Sequence, residues 1–168
     1  MKHEQRLFFC YRCGGKLLET SGENPRLKCQ DCNTISYENP IVGVAGIVVN
    51  EQGQILLVQR ADNVDYGGLW CIPCGYVEYD EDVRAALRRE MKEETNLDVM
   101  VGKIFAAHSN FHNPKQHTVG IWFECLITGG DLLAGDDAQA VGWFALEDVP
   151  ELAFPTDRLV LEEMRKNS

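Results

Sequence analysis

Hydrophobic positions along the chain change period several times, and each change predicts an element. From Ile41 to Val49 a continuous apolar, β-branched run reads as a buried strand. Glu51-Gln-Gly53-Gln then makes a hairpin turn into a second strand, Ile55–Gln59. Gly67-Gly68 reads as a loop and Leu69–Pro73 as a short strand leading into a loop at Gly75. Between Val83 and Thr95 the period becomes helical. Val83, Leu87, Glu90 and Glu94 fall at i, i+4, i+7 and i+11, one face of a helix of 3.6 residues per turn. Asp82 suits the N-cap of that helix, and Asn96 a left-handed C-cap. Val99–His108 and Thr118–Ile127 read as strands flanking a polar loop, Ser109–Gln116, and Val141–Ala145 as a last strand. Gly129-Gly130 and Gly135-Asp-Asp are turns. Pro155 precedes a terminal helix, Arg158–Lys166, with Leu159, Leu161 and Met164 apolar. Strands mixed with two well-separated helices predict an α+β sandwich rather than an alternating α/β fold.

The N-terminal stretch is punctuated by cysteine instead. Cys10-x2-Cys13 and Cys29-x2-Cys32, fifteen residues apart, have the spacing of a four-cysteine zinc site. Gly14 and Asn33 follow the two pairs and suit the positive φ that such knuckles favour. All ligands would come from protein, so the Zn²⁺ is expected to be structural and to supply the folding energy of a segment too short for its own core. Tyr37-Glu38-Asn39-Pro40 marks a linker, giving expected domains of 1–38 and 39–168. Of the remaining cysteines, Cys71 and Cys74 are read as small residues packing under the Gly75 loop, and Cys125 as strand core.

Composition narrows the function. The chain of 168 residues is 45% hydrophobic and carries a formal charge of −10, which argues against nonspecific binding of nucleic acid. The acidity sits in residues 39–168, with ten Lys/Arg against twenty-one Asp/Glu; residues 1–38 hold six against five. No run of eighteen apolar residues predicts a membrane span, and no continuous apolar stretch near the start suits an export signal, so a cytoplasmic protein is expected.

The apolar stripe of the Val83–Thr95 helix ends in carboxylates. Glu90 and Glu94 are neighbours on its surface, with Glu93 beside them, and their mutual repulsion asks for a neutralising charge. Clustered carboxylate oxygens suit Mg²⁺ or Mn²⁺. Arg84, Arg88, Arg89 and Lys92 offer the alternative of a solvated, internally paired helix end.

The full spacing resembles the Nudix box, G-x5-E-x7-R-E-U-x-E-E-x-G-U. Gly75, Glu81, Arg89, Glu90, Met91, Glu93, Glu94 and Leu97 fill its places, while Asn96 stands where the late Gly is usual. The resemblance covers about residues 40–166. It implies an α/β/α sandwich with a mixed sheet, and metal-dependent cleavage of a nucleoside diphosphate linked to another moiety. It further implies Glu90, Glu93, Glu94 and the Gly75 carbonyl as metal ligands, Glu81 supporting the site through Arg89, and Glu93 or Glu94 as general base. Homodimers are common in such proteins. Arg60, ending the strand ILLVQR, matches an Arg that reaches substrate phosphates in relatives. Asp137 and Ala140 stand where ADP-ribose-cleaving relatives carry an E-x-x-E-x-x-W-like pattern before the last strand, so half of that pattern is missing. Glu124 is a second candidate base, and Phe111 or one of its neighbours His108, His112 and His117 is a candidate to stack on a base.

A zinc ribbon before a Nudix domain resembles NADH pyrophosphatases and a group of compact enzymes acting on FAD and ADP-ribose. The signature SQPWPFPxS of the former is absent. The expected substrate is therefore an ADP-containing dinucleotide: ADP-ribose, FAD or NAD(H). The alternatives are a house-cleaning nucleoside triphosphate pyrophosphatase, an RNA-end processing enzyme and a non-hydrolytic nucleotide sensor.

Overall fold

The computed structural model describes residues 8–167; the first seven residues of the expected ribbon, and Ser168, lie outside them. The chain divides between Asn39 and Pro40 into two compact units. Among the described residues no helix is long and apolar enough to cross a membrane.

The smaller unit is a three-stranded antiparallel sheet in the order β1 (Leu17–Glu19), β2 (Leu27–Cys29), β3 (Ile35–Ser36). Its apolar core is small: Cys10, Leu17 and Cys29 are buried, with Leu27 packed against them. Gly14 and Asn33 adopt the expected left-handed backbone, at φ 74° and 61°. Each lets the chain double back, with Gly14 N donating to Cys10 O (2.8 Å) and Asn33 N to Cys29 O (3.2 Å).

In the larger unit, period-2 alternation puts opposite residues of the same strand on two helices. The central strands β4 (Ile41–Val48) and β9 (Thr118–Gly129) run parallel; β8 (Asp98–Asn110) and β7 (Cys74–Tyr76) flank them antiparallel, giving the mixed sheet β7-β4-β9-β8. A second sheet has the order β10 (Ala138–Phe144), β5 (Ile55–Arg60), β6 (Trp70–Cys71). Val44, Val48, Leu56 and Phe123 pack with Ala86, Leu87 and Met91 of helix α1 (Val83–Thr95). Their neighbours Ala45, Ile47, Leu57 and Trp122 pack with Val160, Leu161 and Met164 of helix α2 (Pro155–Asn167). Both faces of these strands are buried, which is why β4 reads as an unbroken apolar run.

Three details differ from the sequence-based expectations. The expected strand Leu69–Pro73 is confined to β6, Trp70–Cys71, and the expected loop at Gly75 is a strand of the other sheet, β7; Pro73 between them has no N–H to continue a ladder, the chain crosses from β6 to β7 there, and Pro73 O instead accepts Gly46 N at 2.9 Å. Gly75 accordingly lies within β7. Helix α2 begins at Pro155, whose fixed φ suits a first helical residue. Its apolar face uses Val160 rather than Leu159, which is 46% exposed.

Candidate functional site

Helix α1 is capped as its sequence requires. Asp82 accepts Arg84 N (2.9 Å) and Ala85 N (3.2 Å), and Asn96 closes the C-terminus at φ 57° with its N–H on Lys92 O. These caps fix which turn presents the glutamates. The stripe then runs from Leu87 in the core to Glu94, itself only 2% exposed, with Glu90 half-buried between them.

Arg89 organises this corner. Its guanidinium forks onto Glu81, Nε to Oε1 at 3.0 Å and Nη2 to Oε2 at 2.8 Å. Nη1 reaches Glu90 Oε1 (2.7 Å) and Glu93 Oε2 (3.0 Å), and Nη2 also donates to Tyr76 O (3.0 Å). Arg89 thus ties three carboxylates to β7. The Glu81 hydrogen bonds hold the guanidinium firmly protonated, and the same bonds keep the Glu81 carboxyl below the usual range.

Glu94 faces the other way. Its Oε2 accepts the amide of Cys74 at 2.9 Å, so α1 grips the start of β7. Burial pushes its carboxyl well above the usual range; the Cys74 amide opposes this, while Asp137 and Glu90 add to it. Burial also raises Glu90, against the pull of Arg89. The segment is close-fitting: a Cβ on Gly75 would stand 1.9 Å from Glu90 Cδ.

A cleft of about 530 Å³ opens over this corner. Gly75, Glu90, Glu94, Arg60 and Asp137 all line it, so five of the sequence candidates are brought together. Arg60 Nη2 lies 3.6 Å from Asp137 Oδ2, and its Nε donates to Asp65 O at 2.8 Å. Glu81, Arg89 and Glu93 stand beside the cleft, joined to it through Glu90. Two candidates are placed elsewhere. Glu124 on β9 pairs with Lys103 of β8 at 3.2 Å, and Phe111 is 66% exposed with its edge contact on His117 at 5.0 Å. Neither is among the residues that line the cleft.

The cleft also holds residues that sequence reasoning missed. Asp157, in the first turn of α2, is buried and accepts Ile72 N at 3.0 Å and Trp122 Nε1 at 3.1 Å. Carboxylates from both helices therefore hold the amides on either side of Pro73. Tyr66, Phe154 and Thr156 contribute to the wall as well, beside His112, one of the histidines expected near the substrate. The only signal for Asp157 in the sequence is an acid just before the expected helix Arg158–Lys166, and an acid at a helix start ordinarily means an exposed side chain.

The donor set fits a hard divalent cation. The cleft offers buried carboxylate oxygens of like charge, two of them raised by burial, and a glycine whose missing side chain makes room for Glu90. In the smaller unit the four cysteine sulfurs lie within 4.8 Å of one another. Arg12 N and Gly15 N approach Cys10 Sγ and Cys13 Sγ at 3.4 Å each, the amide support that thiolates around a tetrahedral ion require.

Comparison with known proteins agrees with this geometry. The NUDIX domain profile matches residues 39–164. An ADP-ribose pyrophosphatase of Methanocaldococcus jannaschii is 37% identical over 130 residues, which are 77% of this chain and 76% of that protein. An NAD-capped RNA hydrolase of Stutzerimonas stutzeri is 26% identical over 145 residues, 86% of this chain and 50% of that protein. The crystal structure of a NUDIX hydrolase from Nitrosomonas europaea matches with a TM-score of 0.80 at 29% identity, covering 96% of this chain and 94% of that one.

Proposed function

The chain belongs to the NUDIX family of hydrolases, and from that premise we propose that it cleaves the diphosphate of an ADP-containing dinucleotide, with ADP-ribose foremost. The observation that carries this reading is the convergence of Gly75, Glu90, Glu94, Arg60 and Asp137 on one cleft. The choice of ADP-ribose over FAD and NAD(H) rests on the ADP-ribose pyrophosphatase that covers most of both chains.

Glu90, Glu93, Glu94 and the Gly75 carbonyl would hold Mg²⁺ or Mn²⁺. When bound, the cation supplies counter-charge to the diphosphate and lowers the pKa of water held against it. The chain's own residues do the rest. Glu81 keeps Arg89 in place, and Arg89 keeps Glu90 and Glu93 from splaying apart. Glu93 is the more exposed of the two candidate bases, its side chain 45% open, and is free of the Cys74 amide that occupies Glu94. We therefore assign it the proton from the attacking water. Arg60, buried at its base and turned to the cleft, meets the phosphates once Asp137 yields. Cys10, Cys13, Cys29 and Cys32 hold a structural Zn²⁺.

A second reading is processing of nucleotide-capped RNA. It is favoured by the RNA hydrolase relative and by the exposure of Phe9 (67%) and Tyr11 (83%) in the smaller unit, surfaces on which bases could stack.

The test is a Mg²⁺-dependent screen of ADP-ribose, FAD, NADH, diadenosine polyphosphates, nucleoside triphosphates and NAD-capped RNA, using wild type and Glu93→Gln. The reading expects ADP-ribose to give AMP and ribose 5-phosphate fastest, and the variant to be slower by roughly 10²-fold or more. Preference for triphosphates or capped RNA moves the assignment accordingly. Tight binding without cleavage by either protein marks a sensor.

A further inference from the structure

Two thiols that the proposed hydrolysis does not use meet beside the carboxylate corner. Cys71 ends β6 and Cys74 begins β7, so the crossing between the two sheets is the turn Cys-Ile-Pro-Cys. Cys71 is fully buried with Val58, Ala138 and Ala153, and Cys74 packs against the same cluster. The two side chains interact directly, and the Arg60 guanidinium acts electrostatically on both. Both cysteines are free thiols.

Packing accounts for Cys71 but not for the position of Cys74. That residue is half-buried and lines the cleft together with Arg60, Gly75 and Glu94. It is the one cysteine among the lining residues, since Cys125 lies in the core cluster under helix α1. A thiol on a cleft wall meets small solutes that the cleft admits, whereas a thiol sealed in a core is inert. With a second thiol three residues away it also has a chemical route that a lone cysteine lacks. Its first oxidation product is captured by the neighbour as a disulfide before it can climb to the irreversible acids.

The turn between the two sulfurs is tied to both helices. Ile72 N donates to Asp157 Oδ2 at 3.0 Å, and Cys74 N donates to Glu94 Oε2 at 2.9 Å. A disulfide holds its sulfurs about 2.05 Å apart, well inside non-bonded contact. Drawing Cys71 and Cys74 that close moves the Ile72–Pro73 turn, and the Cys74 amide moves with it. Glu94, only 2% exposed and gripping that amide, has to follow.

We propose that Cys71 and Cys74 form a reversible thiol–disulfide site, oxidised by a hydroperoxide that enters the cleft, and that oxidation slows hydrolysis by displacing Glu94. The Cys74 sulfur attacks one peroxide oxygen, the O–O bond breaks, and the leaving alkoxide or hydroxide takes the thiol proton. This gives the Cys74 sulfenic acid. The Cys71 sulfur then attacks the Cys74 sulfur, the S–S bond forms, and the displaced hydroxide leaves as water with the Cys71 proton. The two thiols are oxidised by two electrons and the peroxide is reduced by two. The effect on turnover rests on the hydrolase reading; the formation of the disulfide does not.

The experiment uses the full chain loaded with zinc, treated with stoichiometric hydrogen peroxide and then alkylated under denaturing conditions. Trypsin cuts after Arg60 and Arg84 and frees residues 61–84 as one peptide, which holds Cys71 and Cys74 and no other cysteine. The expected peptide is unalkylated and about 2 Da lighter than its dithiol form, and dithiothreitol restores both alkylation sites. Cleavage of ADP-ribose should fall roughly tenfold or more on oxidation. It should return to within about twofold of its starting rate on reduction, while a chromophoric chelator detects no released zinc. Under the same treatment Cys74→Ala keeps the rate of its own reduced form. Cys71→Ala forms no disulfide, and excess peroxide carries its Cys74 to the sulfinic acid, a loss that dithiothreitol does not reverse. Both variants are checked for an unchanged thermal transition, and the wild-type peptide decides the bond even where a variant does not fold. Two thiols still open to alkylation after peroxide, or a loss of rate that follows zinc release and persists in Cys74→Ala, overturns the site. A disulfide that leaves the rate unchanged overturns its link to Glu94. A reversible disulfide in a protein that cleaves no diphosphate supports the site and removes the hydrolase reading.

Discussion

Gly75 is where the smallest side chain matters most. Glu90 occupies the space that a Cβ would fill, at 1.9 Å, and the clashing atoms are the far end of a flexible side chain. Gly75→Ala should therefore leave the fold nearly intact and push the Glu90 carboxylate aside. A displacement of about 1 Å at such a site costs about 10²-fold in rate. The expected result is a kcat lower by roughly that factor with a melting temperature within a few degrees of wild type, checked by steady-state kinetics and calorimetry. Asp157 makes a prediction of the opposite kind, in stability rather than rate. Burial pushes its carboxyl up to about 7, against the hydrogen bonds from Ile72 and Trp122. Below about pH 4 the group is protonated in both states. Between there and about 7 the unfolded chain has released a proton that the fold retains, so this group lowers stability by up to about 1.4 kcal/mol for each pH unit gained. Asp157→Asn removes that slope, at the cost of pointing an amide N–H at one of two donors. The stability advantage of wild type over the variant should shrink as pH rises from about 4.5 to about 7.5 in denaturant titrations without divalent cation. An advantage independent of pH contradicts the assignment.

At the scale of elements, legibility followed the range of the signal. Helix α1 was readable to the residue because its caps, stripe and carboxylates are local: Asp82, Leu87, Glu94 and Asn96 occupy the places their chemistry requires. The knuckles were readable for the same reason, through the positive φ of Gly14 and Asn33. The break between β6 and β7 was not, since it depends on which sheet each half joins, and only the missing N–H of Pro73 hints at it. The role of α2 was hidden too. Thr156 and Asp157 look like an ordinary polar first turn until Ile72 and Trp122, 85 and 35 residues away from Asp157, are seen to donate to it. Tyr66 was obscured by its neighbours, because Gly67-Gly68 accounts for a loop without asking anything of the residue before it. The small core of the N-terminal sheet carries its own prediction. Among the described residues its apolar core is Cys10, Leu17 and Cys29 against Leu27, so it is expected to need the metal to fold. Removing zinc with a strong chelator should abolish hydrogen-exchange protection at the amides of Leu27–Cys29, while those of Ile55, Leu56, Leu57 and Val58 in β5 keep theirs. Persistent protection in the small sheet would show that its folding does not depend on the ion.

On the scale of the whole molecule, the charge distribution and the cleft describe one division of labour. The larger unit, with ten Lys/Arg against twenty-one Asp/Glu, carries a formal charge of −11 and the smaller +1, and a surface as acidic as the larger unit's repels phosphates unless cations intervene. The proposed hydrolysis of an anionic substrate therefore asks for a divalent cation, and the proposed site for it is the corner formed by Glu90, Glu93, Glu94 and Gly75. The most direct measurement is an anomalous difference map from crystals soaked in Mn²⁺ with a non-hydrolysable ADP-ribose analogue. The expected map shows manganese at Glu90, Glu93, Glu94 and the Gly75 carbonyl, beside the bound diphosphate. A diphosphate bound in the cleft with no manganese at those carboxylates, or manganese held only elsewhere, would contradict it.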